Sequence, residues 1–205
     1  MIVTKLEPYT RNRFKVYLDG EFAFLLYRKE LKEYRVTEGE ELAGEDYAYI
    51  TEVLLSKRAK LRAMELLKTK TYTRKQLKDK LLLGFYSEEL AEEAVAYVES
   101  FHYIDDLTYA QDYIRYQCDK RSKMRIKQDL MQKGISADLI EQAYREVAEV
   151  DQMPPEDNLI RQLLTKKHFD METATYEEVQ KMKAFLYRKG FSGDTISRVL
   201  RGEDY

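Results

Sequence analysis

The chain is 205 residues long, 44% hydrophobic and 35% charged, with 8 Gly, 3 Pro and a formal net charge of −2 at pH 7. That apolar content supports a buried core and excludes wholesale disorder, and the scarcity of Gly and Pro among so many charged residues favours long solvated helices over a turn-rich β fold. A single cysteine, Cys118, excludes an internal disulfide and a cysteine-based zinc site, while the absence of an apolar run near 18 residues or of a signal-peptide core in the first residues predicts a soluble, cytoplasmic protein.

In chain order, Arg13 to Leu18 and Glu21 to Leu26 both alternate apolar and polar residues, with Asp19-Gly20 between them as a two-residue hairpin turn. Met1 to Leu6 is expected as a third strand, because a lone two-stranded hairpin is marginally stable. Tyr27 to Tyr34 reads as a short helix, and Val36 to Leu42, with Gly39, as a turn or short extended piece. Residues 1–43 therefore form a small β-rich appendage. A helix then opens at Gly44 or Glu45 and runs toward Lys70, with Tyr47, Ile50, Leu54, Leu61 and Met64 on its apolar face. Its length predicts a break near Ser56 to Arg58. Thr73 and Gln76 make a capping box for the next helix, as do Thr175 and Glu178 near the end of the chain. Glu88, Glu89, Glu92 and Glu93 follow the N-cap Ser87, where the helix dipole favours acids, so they read as a helix start and not as a catalytic pair.

The stretch Phe101 to Ile140 holds a complete unit. Asp105 and Asp106 stand where an N-cap is needed, ahead of Leu107, Ala110, Ile114 and Cys118 at helical spacing. A second helix carries Ile126 and Leu130 and ends at Gly134 in a left-handed cap; Ser136 then caps a third helix striped with Leu139, Ile140, Ala143 and Val147. The second-helix, Gly, Ser-cap, third-helix pattern recurs as KLLLGFYSEELAEEAV, DLMQKGISADLIEQAY and FLYRKGFSGDTISRVL, aligned when one residue is inserted after Phe85. Its glycines, Gly84, Gly134 and Gly190, lie 50 and 56 residues apart. Such self-similarity marks modules that bury their apolar faces by stacking. The expected fold is mainly α: three tandem three-helix modules at 44–104 (with a lead-in helix), 105–152 and 153–205, forming an elongated or crescent-shaped rod. The Gln152-Met153-Pro154-Pro155 stretch serves as the linker between the last two.

Net charge hides segregation along the chain. Ser56 to Lys80 carries ten Lys/Arg and two acids, Tyr86 to Asp112 eight acids and no Lys/Arg, Arg115 to Lys133 seven basic residues against two acids, and Ser136 to Asp157 seven acids against one Arg. First and second helices are basic and third helices acidic in the first two modules, which predicts a bipolar surface. Lys120, Arg121, Lys123, Arg125, Lys127 and Lys133 cluster about one interhelical turn, near Tyr113 and Tyr116; Lys57, Arg58, Lys60, Arg62, Arg74, Lys75 and Lys78 hold comparable places in the preceding module. Such clusters suit phosphate backbones, and at this level nucleic acid, an acidic partner and plain solvation all remain open. The 17 tyrosines mostly fall at helical spacing, which favours packing over base stacking. His102 with Asp105 and Asp106, and His168 with Asp170, match no metal-ligand spacing, and no phosphate loop, nucleophile elbow or zinc-protease motif occurs, so no metal, no cofactor and no enzymatic role are expected.

The residues YIDD followed by Tyr109-Ala110, then Arg125-Ile126, Leu130 and KGI, resemble the RecX family of bacterial regulatory proteins. Thr73-Arg74-Lys75-Gln76-Leu77 with Lys80-Leu81 is similar to the family's Ser/Thr-x-x-Glu-Leu-x-x-Lys-Leu pattern. Gln76 replaces the usual Glu, and Ser122 stands where the family usually has Gly. The resemblance covers nearly the whole chain and matches the longer members with an amino-terminal extension. It implies a RecA modulator acting in homologous recombination, DNA repair and the SOS response. Such a protein binds the groove of the RecA filament on single-stranded DNA, can contact double-stranded DNA, and lowers ATP hydrolysis, strand exchange and coprotease activity. The alternative is a stand-alone DNA-binding regulator built from helix-turn-helix-like modules. A monomer without membrane contact is expected, since no sustained heptad seam occurs. On this reading, reversing charge at Arg121, Lys123 and Arg125 together weakens filament binding without unfolding the protein.

Overall fold

The structure is a computed structural model that describes residues 1–202. The chain forms two compact units, Met1–Ile104 and a second beginning at Asp105, and it is mainly helical with a small amino-terminal sheet, as its composition and periodicity predict.

In the first unit β1 (Val3–Thr10), β2 (Arg13–Leu18) and β3 (Glu21–Tyr27) form an antiparallel sheet in that order. The first strand begins and ends later than the predicted Met1 to Leu6 because it pairs along all of β2, from Val3 with Leu18 to Thr10 with Arg13. Asp19 and Gly20 both take positive φ, the geometry whose twist matches a hairpin. Val3, Val16, Leu18, Phe24 and Leu26 bury one face of the sheet against Val36, Leu42, Ile50 and Leu55. The short helix α1 (Arg28–Glu33) matches the reading of Tyr27 to Tyr34.

The predicted break at Ser56 to Arg58 does not occur. Helical backbone runs without interruption through α2 (Gly44–Ala48), a π-helical stretch (Tyr49–Leu55) and α3 (Ser56–Leu67). Ile50 and Leu55, five residues apart, both face the sheet core, because one residue is added per turn there. Beyond Leu55 the buried residues step by four, to Ala59 and Ala63, and face a second core. The π stretch thus re-aims one continuous helix from the sheet to the helical module, and a break is unnecessary. That module adds α4 (Arg74–Leu82), with the Thr73/Gln76 capping box, and α5 (Glu88–Ser100), capped by Ser87. Between them the left-handed residue is Phe85, at φ 67°, and not Gly84. Gly84 serves close approach instead, since a Cβ there would meet the Leu81 carbonyl oxygen at 3.0 Å.

The second unit carries α6 (Asp106–Gln117), α7 (Lys123–Gln132), α8 (Ala137–Val150), α9 (Glu156–Lys166), α10 (Tyr176–Arg188) and α11 (Gly193–Leu200). Asp105 is the N-cap of α6: its Oδ1 accepts from the backbone N–H groups of Leu107 and Thr108 at 2.8 and 3.0 Å. Ser122, Ser136, Thr175 and Ser192 cap the helices that follow them. Gly134 and Gly190 take φ 91° and 89° as left-handed caps. Ala110, Ile114, Ile126, Leu130, Ile140, Ala143 and Val147 form one core, and Ile160, Leu164, Leu186, Phe191, Ile196 and Val199 another.

Asp157 is buried at the start of α9, where its two oxygens accept from Arg198 on α11 at 2.6 and 3.1 Å. The hydrogen bond from Arg198 holds the Asp157 carboxyl below its ordinary value of 3.8. A depressed folded value stabilises the fold above the unfolded value, and that contribution disappears as pH falls through the folded one. Arg198→Met, which leaves the buried carboxylate only the more distant charge of Arg161, is expected to cost about 2–3 kcal/mol at neutral pH. Denaturant unfolding at several pH values checks this: the gap from wild type should narrow as the solution is acidified below the ordinary aspartate range.

Candidate nucleic-acid interface

The structure treats the sequence-predicted cations in two ways. In the first unit most are met by carboxylates of the same unit. Arg74 on α4 pairs with Glu92 and Glu99 of α5, and Lys78 with Glu88 at 2.7 Å and Glu92 at 3.3 Å. Lys60 reaches Glu93 at 2.7 Å, and with that hydrogen bond as the main cause the Glu93 carboxyl lies below its ordinary range. Lys75 pairs with Asp79 and Arg62 with Glu65 along their own helices. Arg58 is structural: it donates to the Leu25 carbonyl, pairs with Glu30 and lies over the Tyr27 ring. Lys57 is exposed. The acidic α5 therefore compensates the basic helices beside it, and the bipolar surface expected from the sequence is largely neutralised within the module.

In the second unit Lys127 pairs with Glu141 of α8 at 2.8 Å, lowering that carboxyl, and Lys123 lies over the Tyr144 ring. Lys133 lies over the stacked rings of Tyr109 and Tyr113. Lys120, Arg121 and Arg125 behave differently. They line one wall of a cleft of about 540 Å³, whose other wall comes from α9 and the end of α10, with Lys166, Arg188 and Lys189. Six cations thus face one lining carboxylate, Asp119, over an apolar floor of Leu159, Leu163 and Phe191. Arg121 and Arg125 share the buried Asp129, which orients both guanidinium groups. Lys166, Arg188 and Lys189 make no ion pair among the described residues. Three cations without an ion pair, joined by three whose carboxylate partners are fewer than the charges they meet, attract anions over a low-dielectric floor, and their spread along a cleft suits successive phosphates or a row of carboxylates.

The two walls are bolted at Ser122. Its Oγ accepts from the Arg125 N–H as N-cap and donates to the Lys189 carbonyl at 2.8 Å, while Glu156 accepts from the Lys123 N–H at 2.6 Å. Ser122 is 1% exposed. The same geometry alters the charge-reversal expectation. Acidic residues at positions 121 and 125 would face Asp129 across bonds that hold the turn, so reversal at Arg121, Lys123 and Arg125 perturbs folding together with any contact.

Regulatory protein RecX of Caldanaerobacter subterraneus subsp. tengcongensis is 31% identical to this chain over 202 residues, 98% of each protein. The chain belongs to the RecX family. Regulatory protein RecX of Clostridium botulinum (strain Alaska E43 / Type E3) is 30% identical, covering 97% of this chain and 94% of the relative. A crystal structure of regulatory protein RecX superposes with a TM-score of 0.61 at 25% identity over 97% of this chain and 98% of that one. RecX from Lactobacillus salivarius gives 0.59 at 25% identity, over 73% of this chain and 97% of that one. The family descriptions "RecX, second three-helix domain" and "RecX, third three-helix domain" match residues 105–143 and 155–200.

Within this RecX chain, one cleft wall thus comes from each matched domain. Lys166, Arg188 and Lys189 do not stand out as site residues in the sequence, although the repeat offers a signal: the third module's YRKG aligns with MQKG, so Lys189 is the repeat equivalent of the candidate Lys133. Among the described residues no group of three or more His, Cys, Asp or Glu is placed to hold a metal, and no helix is long and apolar enough to cross a membrane.

Proposed function

We propose that this chain is a negative modulator of the RecA recombinase. It binds the RecA filament on single-stranded DNA and suppresses ATP hydrolysis, strand exchange and coprotease activity, as a cytoplasmic monomer acting by contact and not by catalysis. The near full-length identity to proteins named Regulatory protein RecX carries this reading. The cationic cleft supports it, as a place for DNA phosphates or an acidic RecA surface, with electrostatic complementarity governing register and association rate.

The test is RecA's single-stranded-DNA-dependent ATP hydrolysis as the protein is titrated in, at fixed DNA and near-physiological salt. Inhibition is expected well below one copy per RecA, as befits action within or at the end of a filament. No inhibition, together with tight binding to duplex DNA alone, would overturn the reading in favour of a stand-alone DNA-binding regulator.

A further inference from the structure

The outer face of the amino-terminal sheet belongs to the first unit and shares no residue with the cleft, and no role follows for it from the RecA reading. Strand alternation puts Val16, Leu18, Phe24 and Leu26 inward, so Arg13, Lys15 and Tyr17 of β2 point to the opposite face. A register shift in β1 between Val3 and Lys5 turns Tyr9 to that face as well, and a second shift in β3 sets Phe22 opposite Tyr17. Phe85, the strained left-handed residue between α4 and α5, packs edge-on against both Tyr9 and Phe22, with ring centroids 4.9 and 5.8 Å away. The cluster therefore docks the helical module onto the sheet. Docking alone leaves two facts unexplained. Tyr9 and Phe22 keep 45% and 41% of their surface exposed, and Arg13, beside the Tyr9 ring, makes no ion pair among the described residues.

The guanidinium of Arg13 lies 5.4 Å and the ammonium of Lys15 5.6 Å from the Tyr9 ring centre, with Lys15 also over Phe85. Arg11 stands in the adjoining β1–β2 turn, where its carbonyl accepts from Arg28. Elsewhere in this unit the cations of α3 and α4 largely find carboxylates, whereas Arg11, Arg13 and Arg28 make no ion pair among the described residues. Glu7 pairs with Lys5 and Lys15, positions Lys15 beside the rings, and leaves the arginines free to meet an anion. Half-exposed rings bordered by the unpaired Arg13 guanidinium, with Arg11 in the adjoining turn, supply the two elements of sequence-tolerant single-strand recognition: aromatic surface for bases and fixed cations for the backbone. A protein partner of acidic character would use the arginines but has no need of the ring faces.

We infer that this sheet face, centred on Tyr9 and Phe22 and flanked by Arg11, Arg13 and Lys15, is a stacking platform for single-stranded DNA, distinct from the cationic cleft. The experiment uses the full chain, without RecA. Ultraviolet cross-linking of the wild-type protein to oligo(dT) carrying bromodeoxyuridine is expected to label Tyr9 or Phe22. In a background where Lys120, Lys166, Arg188 and Lys189 are alanine, so that the cleft no longer dominates, Tyr9→Leu with Phe22→Leu should lower residual oligo(dT) affinity at least about tenfold while retaining apolar bulk. Arg11→Ala with Arg13→Ala should reduce the slope of log affinity against log salt by about 1.4, at about 0.7 for each phosphate left without its cation. The arginine variant and the wild-type cross-link decide the matter even if the leucine variant unfolds. Cross-links confined to residues 105–205, or an unchanged salt slope, overturn the inference and leave the face as a protein contact; neither outcome bears on RecA inhibition, which the ATP hydrolysis assay reads separately.

Discussion

Alanine at Lys120, Lys166, Arg188 and Lys189 together is expected to lower affinity for single-stranded DNA about a hundredfold at near-physiological salt, with little change in stability. Each single-strand phosphate deprived of its cation takes about 0.7 off the salt slope, so substituting four cations flattens it by about 2.8. The four residues are chosen because their charges hold no buried carboxylate: Lys120 and Lys189 lie over the Tyr116 and Phe185 rings, which alanine leaves in place. Lys166, Arg188 and Lys189 make no ion pair among the described residues, and Lys120 touches only its neighbour Asp119, at 3.8 Å, and Tyr116. Alanine at position 189 also keeps the carbonyl that accepts from Ser122. Surface substitutions of this kind usually move stability by about 0.5 kcal/mol or less each. Fluorescence titration with labelled oligo(dT) across a salt series, with denaturant unfolding beside it, checks both halves of the expectation. An unchanged salt slope in a folded variant would remove the cleft from the DNA-binding surface. The same cycle on Arg121 and Arg125 is expected to mix effects, because it deprives the buried Asp129 of its two guanidinium partners, and a stranded buried carboxylate is costly.

Local features of the fold are legible because they depend on residues a few positions apart. Thr73 with Gln76, Asp105 ahead of Leu107, and Gly134 after Leu130 each satisfy backbone groups within a single helical turn, and so appear in the sequence as short motifs. The repeat is legible for a related reason, since each module needs the same cap and the same apolar stripe. Partnership across sequence distance is not. The acids of α5 and α8 look like solvated helix faces until folding places Glu92 beside Arg74 and Glu141 beside Lys127. The π stretch is hidden because Ile50, Leu54 and Leu61 fit an ordinary helical stripe, and only the turn from one core to another demands the extra residue. For the cleft, periodicity finds the α7 wall through its density of Lys and Arg. The opposite wall escapes because Lys166, Arg188 and Lys189 are dispersed along the third module, and their convergence exists only in three dimensions.

The joint at Ser122 offers the sharpest energetic test of that convergence. Gly190 has φ 89°, and a Cβ there would stand 2.6 Å from Ser122 Oγ. Gly190→Ala therefore meets two costs: a left-handed backbone that alanine disfavours, and displacement of a buried hydroxyl that makes two hydrogen bonds. Together they amount to about 3 kcal/mol. Ser122→Gly removes the same hydroxyl from a backbone that tolerates it as an N-cap, at about 1.5 kcal/mol, because glycine itself caps acceptably and the Lys189 carbonyl is left short of one donor. In the double variant the clash has no second partner. Only the backbone cost and the missing hydrogen bonds remain, so the double should sit about 2 kcal/mol above the sum of the singles in stability, within the range of coupling expected for side chains that touch. Denaturant unfolding of the four proteins measures that coupling. Additivity within about 0.5 kcal/mol would show that the hydroxyl does not hold the two walls together. The functional corollary follows from the same geometry. Gly190 adjoins Lys189 and Ser122 adjoins Arg121, so a shifted joint changes the spacing between cations on opposite walls of the cleft. Gly190→Ala should accordingly weaken oligo(dT) binding even under conditions where it is fully folded, and adding Ser122→Gly should restore part of that affinity.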